Sequence, residues 1–325
     1  MSGTAQPAVD GSVDTEPFAH LALGYRGEAE YLAGTLPFIT DGVAAAEPVL
    51  VAVPTANLAL LRAHCAHPAA DHVSWLDLTE AGRNPGRIIP GVLRAFADAH
   101  PDERVRIIGE PIWPGRTDAE YPACVQHEAL VNYAFRGRPA TILCPYDAEG
   151  LDARALADAA ATHPAVCDAG GADGWRHSDR YAPEDVLDAY NRPLPEPTED
   201  GPVDSRLVDV RSLPLARHRA AEQARRHGLS AERVADVELA ITELLSNSIE
   251  HGSGSGVARI WSAGDDLVCE VWDAGRLSDP LLGQLPVTAG QQRGRGLLLV
   301  NQIADLVRLQ TDANGTTVRA HFRRR

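Results

Sequence analysis

The stretch AITELLSNSIEHG, residues 240–252, is typical of the end of an amphipathic helix. At about 100° per residue, the apolar half is centred on Ile241 and includes these neighbours: Val234, Val237, Leu244, Leu245 and Ser248. The opposite half carries the polar side chains Glu243, Asn247, Glu250 and His251. Taken alone, this polar stripe favours a solvated helix face over a metal or phosphate site. The choice between these two interpretations therefore depends on the downstream sequence.

Three downstream motifs supply that context. DAG (273–275) follows an apolar strand, where an aspartate can present a carboxylate beside bare glycine backbone, although Asp and Gly also favour simple turns. RGRGLLLV (293–300) opens a helix with two glycines, so free N–H groups and the helix dipole could hold phosphate oxygens. A glycine-rich loop without a ligand is the alternative. GTT (315–317) lies on the last strand.

The order of these motifs is more specific than any one of them. A helix with Glu-x3-Asn-x3-His, a strand ending in Asp-x-Gly, a Gly-x-Gly helix start and GTT resemble the GHKL (Bergerat) ATP-binding fold. Within that fold, the chain is most similar to bacterial anti-sigma-factor serine kinases over roughly residues 205–322. The resemblance implies a C-terminal α+β sandwich of the histidine-kinase-like ATPase type that binds ATP and Mg²⁺.

The resemblance also implies a role for each matching position. Asn247 would supply an amide oxygen to Mg²⁺, and Glu243 would be the general base for a serine hydroxyl. Asp273 would accept a hydrogen bond from the adenine amino group. His251 is expected to brace the helix end. The remaining ATP-binding positions would line the base or the phosphates: Gly275, Gly294, Arg295, Gly296, Thr316 and Thr317.

One departure keeps alternatives open. The family often has a second glycine two residues after the first, and here that position is Leu277, in a lid with little glycine. A non-catalytic nucleotide-binding or scaffold module is therefore the main alternative to a kinase. A sensor histidine kinase is disfavoured, because the proline-rich segment 176–213 offers no helical hairpin to carry a phosphoacceptor histidine.

Composition excludes several classes of protein. The 325 residues carry a net charge of -15 without a basic cluster beyond the C-terminal arginines, which disfavours nucleic acid as a partner. All 30 basic residues are arginine, so a P-loop lysine and a Schiff-base lysine are excluded. The sequence contains no run of about 20 apolar residues and no signal peptide, and its five cysteines are scattered. We expect a cytoplasmic protein without a membrane anchor.

The first half has a different pattern. Short apolar runs at 48–54, 73–78, 104–113 and 140–147 alternate with helical patterns, which predicts a doubly wound, mostly parallel α/β sheet of the Rossmann/RecA-like type. RPLPEPTEDGPVD (192–204) is typical of an extended linker. We predict a disordered tail over 1–16, a first domain over 17–175, a linker over 176–204 and a second domain over 205–325. PEDVLDAY (183–190) is alternatively a last helix of the first domain.

Polar residues near the carboxyl ends of these strands predict a pocket, since ligands of open α/β sheets bind there. Strand ends are also polar simply because they meet water, and the two interpretations weigh equally. Cys124 and His127 have metal-ligand spacing but lack the second pair of a structural zinc site. The candidate sensory pocket comprises His20, Tyr25, Glu110, Glu128, Cys144, Tyr146 and Asp147.

Several stretches of the first half resemble the MEDS (methanogen/methylotroph, DcmR sensory) domain: HLALGY (20–25), IIGEPIWPGR (107–116), QHEALVNYAF (126–135), ILCPYD (142–147) and HP (163–164). This resemblance covers about residues 17–168 and implies a module that senses a small-molecule signal. Together, the two resemblances imply a signal-responsive regulator that binds ATP–Mg²⁺. It would phosphorylate a serine of an anti-sigma-factor antagonist or bind a sigma factor, and it is compatible with a homodimer.

Overall fold

The computed structural model describes residues 17–65, 69–171, 174–197, 203–252, 254–286 and 295–324. The described residues divide into two compact units, one formed by those up to 82 with those of 88–190, and the other by 83–87 with those from 191 onwards. The predicted disordered tail, 1–16, lies outside the described residues. No helix in the described part of the chain has both the length and the apolar character needed to cross a membrane.

The first unit is built on a seven-stranded sheet. Its strands are β1 (Phe18–Tyr25), β2 (Val49–Val53), β3 (Val73–Asp77), β4 (Val105–Gly109), β5 (Ala140–Asp147), β6 (Ala165–Asp168) and β7 (Arg176–His177). They lie in the order β3-β2-β4-β5-β1-β6-β7, and all pairs are parallel except β6 with β7. The prediction of a mostly parallel α/β sheet is confirmed.

Helices follow most of these strands. They are α1 (Gly27–Ala44), α2 (Thr55–His64), α3 (Leu78–Ala81), α4 (Arg94–Asp98), α5 (Tyr121–Ala134), α6 (Ala153–Thr162) and α7 (Pro183–Tyr190). Helices α1 and α2 bury Tyr31 and Leu61 in a core that includes Leu143 of the sheet. Helix α5 covers the opposite face, where Glu128 contacts Cys144. Both faces of the sheet are therefore packed, as βαβ connections require.

The sequence signal was strongest where a strand is buried on both faces. All five residues of β2, VLVAV, are buried, which explains why a continuous apolar run predicted it. Strand β1, FAHLALGY, is not among the apolar runs from which we predicted the sheet. It nevertheless lies inside the sheet, between β5 and β6, so His20 and Tyr25 are part of a central strand. His20 interrupts its apolar run, yet that side chain is fully buried.

Part of the predicted linker is ordered structure. Within 176–204, β7 pairs with β6, and α7 buries Val186 in the first unit. The alternative interpretation of PEDVLDAY as a last helix of the first domain matches this arrangement. The acidic stretch 198–202 lies outside the described residues.

The second unit is a five-stranded antiparallel sheet with helices. Its elements are β8 (Asp204–Val208), α8 (Leu213–Arg226), α9 (Ala231–His251), β9 (Gly256–Ala263), β10 (Asp266–Asp273), α10 (Arg295–Ile303), β11 (Leu306–Asp312) and β12 (Gly315–Arg323). The strand order is β11-β12-β10-β9-β8. Ser230 caps α9 by accepting a hydrogen bond from the Arg233 N–H (3.3 Å), which satisfies one of the free donors at the helix start.

The two faces of this sheet differ in chemistry. The side chains of Val237, Ile241 and Leu245 on α9 share one apolar core with Cys269 and Phe322 of the sheet. The other face carries a charged cross-strand cluster, Arg259–Glu270–Arg319, in which both arginines pair with Glu270. A helical layer on one face of an antiparallel sheet confirms the predicted α+β sandwich.

Candidate functional site

A cavity of about 670 Å³ lies within the second unit, between α9, the end of β10 and strands β11 and β12. Its volume falls in the range of about 300–1,000 Å³ that is common for small-molecule sites. Its walls combine apolar side chains, including Val271, Leu309 and Val318, with a few polar groups. This is the composition of a pocket that holds a flat organic group and fixes its orientation with a few hydrogen bonds.

Asp273 is the best-anchored polar group in this cavity. Its Oδ2 accepts a hydrogen bond from Ser248 Oγ (2.7 Å), and its Oδ1 accepts one from the backbone N–H of Gly275 (2.7 Å). A carboxylate oxygen has two lone pairs, so each of these oxygens can still accept a further bond. Sequence reasoning missed Ser248, although its place on the buried side of the α9 helical wheel could have indicated a contact with a strand end.

Glycines around Asp273 are required by close packing. A Cβ on Gly275 would lie 2.7 Å from Asp273 Oδ1 and 3.0 Å from Cα of Gly252. Gly315, with a φ of +144°, would place a Cβ 2.1 Å from the Asp273 carbonyl oxygen. Gly275 was predicted to let a ligand approach the backbone, and the structure adds that it lets β10, α9 and β12 approach one another.

Thr316 and Thr317 lie on opposite faces of β12. Thr316 lines the cavity, and its Oγ1 donates a hydrogen bond to the Gly275 carbonyl oxygen (2.8 Å). Thr311 Oγ1 lies 2.8 Å from Thr316 Oγ1 and accepts a bond from the Leu277 N–H (3.1 Å). Because side chains alternate along a strand, Thr317 faces away, and it is not among the described residues that line the cavity.

Asn247 and Glu243 lie one turn apart on α9, beside the start of α10. Asn247 lines the cavity. A Cβ on Gly296 would lie 2.7 Å from Glu243 Oε2 and 3.1 Å from Asn247 Nδ2, so only a glycine lets α10 approach α9 so closely. Arg295, the first residue of α10, is exposed, and the predicted phosphate-contacting Gly294 lies outside the described residues.

Two further side chains complete this part of the cavity. His251 lines it with a half-exposed ring, 4.0 Å from the Glu250 carboxylate, and its bracing role stays a prediction. Arg276, which sequence reasoning did not select, also lines it and adds a positive charge to the wall of the cavity. The sequence could have indicated Arg276, because this residue directly follows the DAG motif.

In the first unit, the predicted sensory residues separate into two groups on opposite faces of the sheet. Glu110 and Tyr25 lie on the face of α1 and α2. There the Glu110 carboxylate accepts hydrogen bonds from Tyr25 (3.4 Å), Tyr31 (3.3 Å) and Asn57 (2.9 Å). Burial raises the pKa of Glu110 to about 8, although these three donors act to lower it. Asp147 accepts hydrogen bonds from the N–H groups of Glu149 and Gly150 at the end of β5.

The second group lies on the face covered by α5. His20 Nε2, Glu128 Oε2 and Cys144 Sγ are in mutual contact, at 3.2 Å, 3.4 Å and 3.6 Å. His163, which follows α6, joins them at 3.4 Å from Glu128 Oε2, and its ring packs edge-on against Tyr146. All four residues of this buried cluster are at most 2% exposed. Sequence reasoning left His163 out, although it is the first residue of the quoted HP motif.

Burial governs the protonation of this cluster. It lowers the pKa of His20 to about 4, with a further contribution from the nearby His163, and it raises the pKa of the Cys144 thiol. For Glu128, burial acts to raise the pKa, but the neighbouring His163 and His20 outweigh it and hold the pKa well below its usual range. Cys124 and His127 are buried on α5, the helix that carries Glu128, but they are not members of the cluster.

A five-stranded antiparallel sheet under three helices, with a cavity framed by α9, β10 and β12, defines a domain of the histidine-kinase-like ATPase class. Comparison with known families supports this class. Residues 208–322 match the family model of the histidine kinase-like ATPase domain, and residues 19–164 match that of the MEthanogen/methylotroph, DcmR Sensory (MEDS) domain. The chain therefore contains a MEDS domain followed by a histidine kinase-like ATPase domain.

Comparisons with individual proteins add little. The crystal structure of the RsbU and RsbW domains of Rv1364c from Mycobacterium tuberculosis is similar at 22% identity and a TM-score of 0.30. The match covers 38% of this chain and 32% of that one, so this chain spans about a third of that relative's length. Among curated proteins, none matches this chain.

Proposed function

We propose that the second domain binds ATP with Mg²⁺ and transfers its terminal phosphoryl group to a serine of an anti-sigma-factor antagonist, or binds a sigma factor directly. The MEDS domain would supply the response to a small-molecule signal. The observation that carries the proposal is that Asp273, held by Ser248, and Asn247 line one cavity, while Asn247 and Glu243 adjoin Gly296 in the first turn of α10.

The residues present fit ATP and Mg²⁺ chemically. Asp273 keeps free acceptor capacity for an exocyclic amino group, and apolar side chains such as Val271 and Val318 can contact a purine ring. Asn247 offers an amide oxygen, the hard type of ligand that Mg²⁺ takes together with phosphate oxygens. Bound Mg²⁺ would neutralise charge on the transferring phosphoryl group.

Each residue then has a distinct task. Asp273, held by Ser248, fixes the base, while Thr316 holds the Gly275 backbone in place beside it. Glu243 would orient the serine hydroxyl and accept its proton. The start of α10, with Gly294, Arg295 and Gly296, would contact the phosphates through N–H groups and the arginine. The cysteines in the described part of the chain form no disulfide, which favours a reducing compartment such as the cytoplasm.

The first test is nucleotide affinity. We expect calorimetry to detect ATP binding that strengthens with Mg²⁺, and Asn247→Ala to weaken the Mg²⁺-dependent binding at least about tenfold, or about 1.4 kcal/mol. Asn314→Ala, at an exposed asparagine in the turn before β12, is the matched control and should bind like the original chain. Equal ATP affinity of the Asn247→Ala variant and the original chain would refute the assigned metal ligand.

The second test separates a kinase from a non-catalytic module. Antagonist proteins captured on the immobilised chain are incubated with ATP and analysed for phosphoserine by mass spectrometry. We expect Glu243→Gln to retain ATP binding but lower the phosphorylation rate by about 10²–10⁴-fold, the usual contribution of a general base. Glu232→Gln, at an exposed glutamate in the first turn of α9, serves as the control. ATP binding without any phosphoserine would favour the scaffold alternative.

A further inference from the structure

Four potential metal ligands converge inside the first domain, in the cluster His20–Glu128–Cys144–His163. One donor atom from each residue lies within 4.8 Å of the other three, and all four side chains are buried. They come from separate elements: His20 from β1, Cys144 from β5, Glu128 from α5 and His163 from the residue after α6. Parallel pairing of β1 with β5 places His20 and Cys144 on the same sheet face, beneath α5.

Hydrogen bonds outside the cluster fix which nitrogen of each histidine faces inward. Asn132 Nδ2 donates to the Thr162 carbonyl oxygen (2.8 Å), so its Oδ1 is the atom that faces His20 Nδ1 (3.2 Å) and accepts its proton. His163 Nδ1 lies 2.8 Å from the Ala159 carbonyl oxygen and therefore donates there. Both Nε2 atoms are left with a lone pair that points into the cluster. Metal-binding histidines are commonly held in this way.

When both rings are neutral, the Nε2 lone pairs of His20 and His163 face a carboxylate oxygen of Glu128 at 3.2 Å and 3.4 Å. These contacts therefore call for a positive charge inside the cluster, either a proton on a histidine or a metal ion. His163 Nε2 and Glu128 Oε1 are buried and have no hydrogen-bond partner among the described residues. Buried polar atoms are almost always paired, and an unpaired one destabilises the fold. A cation at the centre would satisfy all of the converging lone pairs together.

The spacing of the donors matches a tetrahedral site. Zinc bonds of about 2.0–2.1 Å to nitrogen, about 2.0–2.2 Å to oxygen and about 2.3 Å to sulfur give tetrahedral edges of about 3.3–3.6 Å. Four of the six donor–donor distances are 3.2 Å, 3.4 Å, 3.4 Å and 3.6 Å, which are close to these edges. The remaining two, from His163 Nε2 to His20 and to Cys144, are at most 4.8 Å.

We propose that His20, Glu128, Cys144 and His163 form a binding site for one divalent metal ion of the zinc type. Imidazole, thiolate and carboxylate together suit zinc better than Mg²⁺ or Ca²⁺, which prefer oxygen ligands alone. Four protein ligands leave no open position, so the site is of the closed, structural type. The ion would tie β1 and β5 to α5 and to the residue that follows α6.

Charge balance supports this assignment. On binding, the Cys144 thiol gives its proton to solvent, and the resulting thiolate and the Glu128 carboxylate carry two negative charges against the two positive charges of the ion. The loaded site is therefore neutral overall, which suits its burial. A cavity of about 390 Å³, lined by His20 and Asn132, adjoins the site on one side.

The test starts with the full chain purified from zinc-supplemented medium. We expect about one zinc per chain by elemental mass spectrometry and, after removal with a chelator, a lower unfolding temperature of the first domain. Reconstitution with Co²⁺ should give the visible bands of a tetrahedral site and a thiolate-to-cobalt charge-transfer band in the near ultraviolet. Binding should release about one proton per ion at a pH below that at which the thiol ionises.

Variants distinguish this site from adventitious binding. Cys144→Ser should abolish the charge-transfer band, whereas Cys167→Ser, at a cysteine of the same domain outside the cluster, should keep both the band and the stoichiometry. His163→Gln should lower zinc content at least about tenfold. If the folded original chain holds less than about one zinc per ten molecules and gives no Co²⁺ band on reconstitution, the proposal is overturned, whatever the folding of the variants.

Discussion

At the scale of single residues, burial decides what a polar side chain can do. Glu110 and Glu128 both belong to the first domain, and both are 1% exposed. Glu110 is surrounded by neutral donors, and burial raises its pKa to about 8. Glu128 faces two histidines, and its pKa lies below the usual range despite the same burial. The nature of the neighbours therefore separates a protonated carboxyl from an ionised one.

Glu110 gives a prediction for the pH dependence of stability. An unfolded glutamate ionises near pH 4.5, but the folded chain keeps Glu110 protonated up to about pH 8, so the unfolded state holds fewer protons in between. The free energy of unfolding should fall as pH rises from about 5 to about 8, by about 3–5 kcal/mol in total for this group. Glu110→Gln should remove this decrease, as measured by denaturant unfolding of the first domain.

The control for this experiment is Glu103→Gln, at an exposed glutamate before β4. Its pH profile should run parallel to that of the original chain. If the Glu110→Gln profile also runs parallel between pH 5 and pH 8, Glu110 is ionised in the folded protein and the predicted linkage is wrong.

The sequence predicted which residue types matter better than it predicted their neighbours. Asn247, Asp273 and Thr316 line one cavity, whereas Thr317 lies on the opposite face of the sheet. Ser248 and His163 were missed because their contacts join positions far apart in the chain, Asp273 for the first and Glu128 for the second. Hydrophobic periodicity reports burial along one element and carries no information about such pairs.

At the scale of secondary-structure elements, the antiparallel sheet depends on a buried charge cluster. Glu270 on β10 accepts hydrogen bonds from Arg319 Nε on β12 (2.8 Å) and from Arg259 Nη1 on β9 (3.1 Å). Only 3% of Glu270 is exposed, so its loss would leave two guanidinium groups near each other without their shared counter-charge. These three strands carry Asp273 and Thr316 to the edge of the cavity.

We therefore expect Glu270→Gln to lower the free energy of unfolding of the second domain by about 3–5 kcal/mol, as found when one partner of a buried ion pair is removed. Glu222→Gln is the matched control, because Glu222 pairs with Arg226 on the exposed face of α8. An exposed pair contributes about 0–1 kcal/mol. A Glu270→Gln loss no larger than that of the control would show that the cluster does not stabilise the sheet.

The elements themselves differ in how well the sequence revealed them. Helix α9 was predictable because its apolar positions recur at helical spacing over 21 residues. Strand β1 was not, because His20 and a glycine break its apolar pattern, and its burial depends on β5 and β6, which follow much later in the chain. Helix α7 remained open to two interpretations because its short amphipathic pattern adjoins a proline-rich stretch.

At the scale of the whole molecule, the two domains have separate apolar cores. One core contains Tyr31, Leu61 and Leu143, and the other contains Ile241, Cys269 and Phe322. The proposed metal site lies in the first domain, on the sheet face covered by α5, and the proposed nucleotide site lies in the second domain. A ligand that binds only the folded form of one domain stabilises that domain by about 2.7 kcal/mol at 100 times its dissociation constant.

Because the two domains have separate cores and separate sites, each ligand should shift only one of two unfolding transitions in calorimetry of the full chain. ATP with Mg²⁺ should raise the unfolding temperature of one transition, and zinc should raise that of the other. Asn247→Ala should lose the first shift and keep the second, while Cys144→Ser should do the reverse. A single transition that moves with either ligand would contradict independent unfolding. It would mean that occupancy of one domain is transmitted to the other, and the coupling free energy would then have to be equal in both directions.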